Sequence, residues 1–361
     1  MDAFYMRKAL QLAERGRATT SPNPMVGALV VDSGGVIVGR GSHEAAGGPH
    51  AEVLALRDAG ARARGATLYC TLEPCCHTGR TGPCAPVVAD AGIKRLVIAT
   101  EDPNPAVAGG AAWLRARGLD VVSGVLADDA YRLNAPFFTR VRLGRPYVTM
   151  KVALSLDGKI AAAPGVRTPI TGPEAARLVH RDRAEVDAIA VGSGTVLADD
   201  PQLTARGAFR RRPLIRVIYD RRLRTPPGAR LFRTLDAGPV IIVCTAQSLE
   251  DAAARADELR ARGAEFLVVD DRFGVRSSLE ALSARGMSSL VVEGGRLLHA
   301  AFWDENVVDR VQIYVGSRVL GEAGVPWLEQ PVLSSVRIAD RRAFPVGEGD
   351  TLLEGHVHGS D

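Results

Sequence analysis

Two short strings in the first quarter of this chain are built for metal-assisted hydrolysis. One is His50-Ala51-Glu52. The other is Glu73-Pro74-Cys75, followed by Cys84. One imidazole and two thiolates supply three ligands of a tetrahedral zinc and leave the fourth position for water. A structural zinc closes all four positions with protein, whereas a catalytic zinc keeps one open. Zinc lowers the pKa of its water from about 15.7 to about 7. A nearby carboxylate can take that water's proton and deliver it to a leaving amine. The pattern therefore predicts hydrolytic removal of an amine from a nucleobase-like ring. His50, Cys75 and Cys84 are the expected ligands of one Zn²⁺, and Glu52 is the expected acid/base, not a ligand. Nucleobase deaminases carry H-x-E followed by P-C-x-x-C. Here a Gly/Pro-punctuated segment, Cys76 through Pro83, separates the two cysteines, and it is expected to fold over the pocket or contact substrate. Cys76 as a fourth ligand would close the site, but adjacent cysteines rarely reach one metal with good geometry. Cys70 and Cys244 lie in apolar, strand-like runs and read as inert buried side chains.

These groups need elements to hold them. Asp2 to Arg15 has apolar residues at helical spacing. Val26–Val31 and Val36–Val38 read as strands joined by a turn at Asp32-Ser33-Gly34-Gly35. Gly47-Gly48-Pro49 breaks the chain, and a helix then runs from His50 to Ala59, stopped by Gly60. A strand over Thr67–Leu72 leads into Glu73-Pro74-Cys75. A helix from Cys84, with Pro86 in its first turn, ends before Gly92. Arg95–Thr100 reads as a further buried strand, and Asp128 to Arg140 as one helix. Two ligands and Glu52 thus sit at or near helix starts, where the positive dipole end favours hydroxide.

A boundary is expected near Leu143-Gly144-Arg145-Pro146, giving domains 1–144 and 145–361. Beyond it, strand patterns at Tyr147–Leu154, Ala188–Val191, Leu214–Tyr219, Val240–Val243, Phe266–Val269 and Ser289–Val292 alternate with helical ones. The helical patterns are Pro173–Arg183, Ser248–Arg262, Arg276–Arg285 and Gly295–Trp303. Such alternation predicts a mostly parallel sheet covered on both faces, with late strands at Asp309–Val315 and in the last Gly-rich turns as an antiparallel edge. No G-x-G-x-x-G follows the first strand, so a standard Rossmann dinucleotide site is not supported. Polar clusters at strand ends take its place: Lys151 with Ser155-Leu156-Asp157-Gly158, then Gly192-Ser193-Gly194-Thr195 leading to Asp199, and Glu293-Gly294-Gly295. Glycine-rich helix starts of this kind present N–H groups to phosphate, and ligands of open α/β sheets bind beyond the carboxyl ends of strands.

The 361 residues suffice for two domains with separate cores, and the net charge of +4 is too mild to imply nucleic acid. That charge suits a phosphorylated small substrate. Five cysteines, an odd number, do not make a disulfide framework. No apolar stretch is long enough to span a membrane, and the charged amphipathic start is unlike a secretory signal, so a reducing, cytoplasmic setting is expected. Arg210-Arg211-Arg212 reads as a solvated loop.

Taken together, Thr20-Ser21-Pro22-Asn23-Pro24-Met25-Val26-Gly27, Gly48-Pro49-His50-Ala51-Glu52, Thr71 through Cys84 and Asp102-Pro103-Asn104-Pro105 resemble the bifunctional deaminase/reductases of riboflavin biosynthesis. So do Met150 through Ala161, Gly194 through Pro201, and Val292-Glu293-Gly294-Gly295. The resemblance implies an α/β protein with a cytidine-deaminase-like, three-layer N-terminal domain and a dihydrofolate-reductase-like C-terminal domain. It implies zinc-dependent deamination of a diaminopyrimidinone carrying a ribosylamino 5-phosphate, then NADPH-dependent reduction of the ribosyl group to ribityl. By motif position, Asn23, His43 and His77 would hold the pyrimidine and Arg80 would meet the phosphate. In the second domain, Arg183, Leu203, Arg206 and Glu293 would face substrate. Ala153, Thr195, Asp199 and the turn Gly294-Gly295-Arg296-Leu297 would face NADPH. Lys151 is expected near the reacting carbon. A dimer or tetramer through the reductase domain is also implied.

The chain departs from the family pattern in three places. Cys76 replaces a usual serine and Gly82 a usual proline. Where the family has Ser-x-Trp-Ile-Thr, this chain has Arg167-Thr168-Pro169-Ile170-Thr171. Loss of the tryptophan and serine predicts altered cofactor use, which Arg221 could offset by meeting the 2′-phosphate of NADPH. Other readings are a deaminase with an impaired reductase domain, a deaminase of other nucleobases, and a zinc-stapled scaffold.

Overall fold

The computed structural model describes residues 1–77, 82–270, 274–328 and 338–357. The chain divides into two compact units, Met1–Gly144 and Arg145–Asp361.

The first unit runs α1 (Asp2–Ala13), β1 (Gly27–Val31), β2 (Ile37–Ser42), α2 (Ala51–Ala59), β3 (Thr67–Leu72), α3 (Cys84–Asp90), β4 (Arg95–Thr100), α4 (Gly110–Arg115), β5 (Asp120–Val122), α5 (Ala127–Leu133) and α6 (Ala135–Leu143). Its sheet has the order β2-β1-β3-β4-β5, with β1 antiparallel to both neighbours and β3, β4 and β5 parallel. Successive side chains on a strand point to opposite faces. Leu68, Cys70, Leu96 and Ile98 therefore pack with α2, α3 and α4, while Tyr69, Val97 and Ala99 pack with α1 and α5. The result is a three-layer sandwich.

The seating of α2 depends on two glycines in β2. A Cβ on Gly39 would lie 2.2 Å from the carbonyl oxygen of Ala55, and one on Gly41 would lie 2.1 Å from that of Ala51. Only a bare backbone lets the helix come this close. Since Ala51 follows His50, this contact sets the depth at which the first zinc-ligand candidate stands.

The second unit runs β6 (Tyr147–Leu154), β7 (Lys159–Ala161), α7 (Pro173–Glu185), β8 (Ala188–Gly192), α8 (Ser193–Asp199), β9 (Ile215–Tyr219), β10 (Val240–Cys244), α9 (Ala246–Asp251), α10 (Ala253–Ala261), β11 (Ala264–Val268), α11 (Gly274–Ala284), β12 (Ser289–Gly294), α12 (Arg296–Asp304), β13 (Arg310–Val315), β14 (Val325–Pro326), β15 (Ala339–Val346) and β16 (Asp350–His356). The large sheet has the order β11-β10-β9-β8-β12-β6-β13-β16-β15. Val217, Ile241 and Val243 face one apolar layer, and Ile218, Ile242 and Cys244 face the other.

Four expectations are revised. Asp128–Arg140 is not one helix: Asn134 separates α5 from α6. Ser248–Arg262 is likewise two helices, α9 and α10, divided at Ala252. The strand near Asp309–Val315 lies parallel to β6, and the antiparallel edge is formed, as expected of the last Gly-rich turns, by the hairpin β15–β16 beyond it. The run Arg210-Arg211-Arg212 is also no simple solvated loop. Arg210 Nη1 donates to the carbonyls of Arg183, Ala184 and Val186 at the end of α7, and Arg212 pairs with buried Asp187. The last carbonyls of a helix lack intrahelical partners, and a guanidinium satisfies several at once.

Candidate active sites

In the first unit His50 is the N-cap of α2, Glu52 lies in that helix's first turn, and Cys84 is the first residue of α3. Cys75 stands beyond the carboxyl end of β3. His50 Nδ1 is 3.1 Å from Cys84 Sγ and 3.6 Å from Cys75 Sγ, and the three ligand atoms lie within 4.8 Å of one another. A tetrahedral zinc with bonds of about 2.0–2.3 Å holds its ligand atoms roughly 3.5 Å apart, so this set fits zinc. Cys76 does not join it. Its Sγ lies 3.0 Å from the carbonyl oxygen of Ala108, and the chain turns it outward. A hydrogen bond from the Cys84 thiol, with help from His50, holds the Cys75 thiol down at about 4; Cys75 in turn pushes Cys84 up. Glu52 is 3 % exposed, and burial pushes its carboxyl up to about 7.

A cavity of about 390 Å³ opens beside these ligands. Asn23, His43 and His77 all line it, together with Glu52. His43 Nδ1 lies 3.1 Å from the carbonyl of Pro49, and its Nε2 lies 3.2 Å from Asn23 Nδ2. A carbonyl only accepts, so Nδ1 carries the hydrogen and Nε2 accepts from the amide. Burial lowers the pKa of His43, in keeping with a neutral ring. Arg80 lies outside the described residues.

Sequence reasoning assigned no role to several residues of this cavity. Asp102, Asn104 and Phe137 line it. Burial raises the Asp102 carboxyl to about 6. Asp102 and Asn104 were legible as a polar Asp-Pro-Asn-Pro turn at the end of a strand; Phe137, inside a helix, carried no such signal. Glu73 is a brace. Its Oε1 accepts from the N–H groups of Gly109 (3.2 Å) and Ala111 (2.8 Å), and its Oε2 accepts from that of Asp102 (3.1 Å). At the same place a Cβ on Gly110 would lie 1.8 Å from the Pro74 carbonyl oxygen, so α4 closes directly on the Glu73-Pro74-Cys75 turn.

In the second unit a cavity of about 770 Å³ opens at the carboxyl ends of β8, β9, β10 and β12, where open α/β sheets bind ligands. Thr195, Asp199, Arg221, Gly294, Gly295, Arg296 and Leu297 line it, as does Glu293. The amino end of α12 meets the cavity and offers backbone N–H groups suited to phosphate. Ala153 lies outside this lining; it packs on the layer around Tyr314. Arg167 and Thr168 line the cavity where the altered segment runs. The Ser155–Gly158 turn uses its polar groups to tie neighbouring chain together. Ser155 Oγ donates to Asp157, whose carboxylate accepts from the N–H groups of Leu320 and Gly321.

Asp220 follows β9 and lines the cavity, and its Oδ2 accepts from both the N–H and the hydroxyl of Thr225 at 2.7 Å. Arg221, Arg222 and Arg224 follow it and line the cavity.

Beside the cavity is a charged cluster. Arg183 donates to Glu293 through Nε at 2.6 Å and through Nη2 at 2.7 Å, and its Nη1 reaches the Thr204 carbonyl at 3.2 Å. Lys151 Nζ lies 3.8 Å from Glu293 Oε2. Burial opposes ionisation of Glu293, but the positive charges of Arg183 and Lys151 outweigh it and hold the carboxyl at about 2. Burial lowers the pKa of Lys151. Arg206 is exposed at the rim, and its N–H donates to His180, a residue sequence reasoning missed. Leu203 turns its side chain into the core at a φ of 54°. The sequence assigned both arginines to phosphate; here Arg183 already serves Glu293, and Arg206 is the one presented outward.

With this geometry in hand, the relatives can be named. Residues 1–100 match the cytidine and deoxycytidylate deaminase zinc-binding region, and residues 146–352 match the RibD C-terminal domain. The chain is 41 % identical over 355 residues to riboflavin biosynthesis protein RibD of Aquifex aeolicus, covering 96 % of each chain. Its identity to that of Escherichia coli is 40 % over 336 residues, covering 89 % of each. Among solved structures, Acinetobacter baumannii RibD superposes with a TM-score of 0.86 at 35 % identity, covering 99 % of each chain. The diaminohydroxyphosphoribosylaminopyrimidine deaminase/5-amino-6-(5-phosphoribosylamino)uracil reductase of Thermotoga maritima superposes with a TM-score of 0.84 at 34 % identity, again covering 99 % of each. The first unit thus has the cytidine-deaminase-like fold and the second the dihydrofolate-reductase-like fold of these proteins. Matched along nearly its whole length, the chain belongs to the RibD family of riboflavin biosynthesis proteins.

Proposed function

We propose that this chain deaminates 2,5-diamino-6-(5-phosphoribosylamino)pyrimidin-4(3H)-one to the corresponding aminouracil, and then reduces the ribosyl group of that product to ribityl with NADPH. The observation that carries the first step is the His50–Cys75–Cys84 cluster beside buried Glu52 in a cavity of pyrimidine size. His50, Cys75 and Cys84 hold zinc. Bound zinc supplies a Lewis acid and a hydroxide source near neutral pH. Glu52 is the proton carrier. Burial raises its carboxyl above the ordinary value, which helps it hold the proton that it takes from water and returns to the departing amine. Asn23, His43 and His77 orient the ring, and Arg80 is assigned to the phosphate.

For the second step, bound NADPH supplies the hydride. Thr195, Asp199 and Gly294 through Leu297 hold the cofactor, with Ala153 assigned beside them, and the arginines after β9 give it its 2′-phosphate partner. Lys151, Arg183, Arg206 and Glu293 form the substrate side; Leu203, buried in the core, supports it from behind. The Arg183–Glu293 pair fixes the wall, Arg206 receives the 5-phosphate, and Lys151 faces the reacting sugar. Such a transfer needs orientation more than a strong acid.

The same reading places the protein in the cytoplasm as a homo-oligomer. All five cysteines are unpaired, as a reducing compartment requires, and among the described residues no helix is long and apolar enough to cross a membrane. Light scattering on the purified chain tests the assembly. The deciding test of function is a coupled assay with the phosphorylated diaminopyrimidinone. Ammonia release, followed by substrate-dependent NADPH oxidation, is the expected result. Ammonia without oxidation would point to the impaired-reductase reading, and no ammonia from zinc-loaded protein would overturn the assignment.

A further inference from the structure

The break between α5 and α6 does more than turn the chain. Asn134 is buried, and its side-chain amide grips one residue on both sides: Oδ1 accepts from the N–H of Met25 at 2.7 Å, and Nδ2 donates to the carbonyl of Met25 at 2.8 Å. Met25 lies two residues from Asn23. The next carbonyl, that of Val26, accepts from the N–H of His43 at 2.9 Å. His43 bonds Asn23 with one ring nitrogen and the carbonyl of Pro49 with the other, and Pro49 precedes His50. A path of hydrogen bonds and two peptide links therefore runs from the start of α6 to His50.

Three residues beyond Asn134, Phe137 reaches the same cavity. It is half-buried, packs on the core, and meets Phe138 edge to face with ring centroids 5.7 Å apart. Among the described residues lining that cavity it is the only benzene ring. The same cavity is lined by the polar groups of Asn23, Glu52, Asp102 and Asn104, which suit the edge of a heterocycle, and by the smaller imidazole rings of His43, His50 and His77. Aromatic faces recognise the π-face of bases by stacking.

We propose that Phe137 is the specificity-determining wall on which the pyrimidine ring of the deamination substrate stacks, and that Asn134 is the positioning residue that fixes this wall relative to Asn23. The inference rests on the deaminase reading above.

The test measures kcat and KM for ammonia release with full-length, zinc-loaded Phe137→Leu, Phe137→Tyr and Asn134→Asp. NADPH oxidation in the same preparations normalises for active protein, and zinc content reports whether the first unit is intact. Loss of the ring should raise KM roughly 5- to 100-fold in Phe137→Leu with kcat within about threefold, and Phe137→Tyr should stay near wild type. Asn134→Asp keeps the acceptor but turns an oxygen onto the Met25 carbonyl, and should raise KM at least about fivefold with zinc retained. Should Phe137→Leu lose zinc, Phe137→Met, unbranched and of similar size, repeats the test without a π-face. An unchanged KM in a zinc-loaded ring-less variant, or a fall in kcat at constant KM, overturns the proposal. If wild type itself releases no ammonia from this substrate, the deaminase reading fails first, and the two failures are distinguishable.

Discussion

Arg183 and Glu293 meet through two hydrogen bonds, of 2.6 and 2.7 Å, across a sequence separation of 110 residues. The pair joins α7 to the end of β12, and it is largely buried, with side chains 13 % and 7 % exposed. Removing one partner of such a pair strands the other charge, at a cost of about 3–5 kcal/mol. Arg183→Met should therefore lower the stability of the second unit by that order, measured by urea unfolding, and abolish NADPH oxidation. Arg183→Met combined with Glu293→Leu should recover part of the stability but none of the activity.

The same pair predicts an acid response. Glu293 is held at about 2, below its ordinary 4.5. A group with a depressed folded-state pKa contributes stability that is fully present above the unfolded value and is lost as pH falls through the folded one. The second unit should thus weaken between pH of about 4.5 and about 2. Glu293→Gln should flatten that slope in melting curves recorded across the window, while being less stable than wild type at neutral pH.

Glu52 is not one of the three clustered ligand residues. Glu52→Gln should retain zinc, measured by elemental analysis, and lose about 10²–10⁴-fold in ammonia release, the usual range for a positioned general acid/base. NADPH oxidation with the aminouracil intermediate should continue. Loss of zinc in this variant would instead make Glu52 part of the metal site.

Gly41 offers a test of positioning without chemistry. Gly41→Val drives carbon into the Ala51 carbonyl, and overpacking of this kind costs about 1–3 kcal/mol. The variant should bind zinc more weakly and deaminate poorly, while its second unit keeps the wild-type melting temperature.

Cofactor preference should follow the arginines after β9. Arg221→Ala should lower the NADPH-over-NADH preference in kcat/KM by about tenfold or more, the scale of a charge-assisted hydrogen bond to phosphate. If Arg221→Ala keeps the preference and Arg222→Ala or Arg224→Ala loses it, the 2′-phosphate belongs to that neighbour, since all three line the cavity.

Much of this was legible from spacing. The strands Thr67–Leu72, Arg95–Thr100 and Tyr147–Leu154 stand where their apolar runs put them, because a buried strand declares itself by composition and by the turns around it. The candidate metal cluster was legible because His and Cys are favoured zinc ligands and stood at a recognisable spacing. What escaped depends on contacts far apart in sequence. Pro136 was a local sign of the break at Asn134, but nothing local shows that Asn134 reaches Met25, that Glu73 bonds three distant N–H groups, or that Arg210 caps α7. The hairpin β15–β16 was nearly invisible, since seven of the eight residues of β15 are not buried and give no apolar alternation. Phe137 looked like any helical core residue.

Glu73 and Cys75 flank a single proline. The carboxylate of the first gathers Asp102, Gly109 and Ala111, and the thiol of the second belongs to the metal cluster. Metal occupancy and the shape of the neighbouring cavity should therefore be coupled. By thermodynamic reciprocity, whatever factor zinc adds to the affinity for the pyrimidine, the pyrimidine adds to the affinity for zinc. A cell short of zinc but rich in substrate would keep this enzyme metallated longer than its ligand set alone would allow.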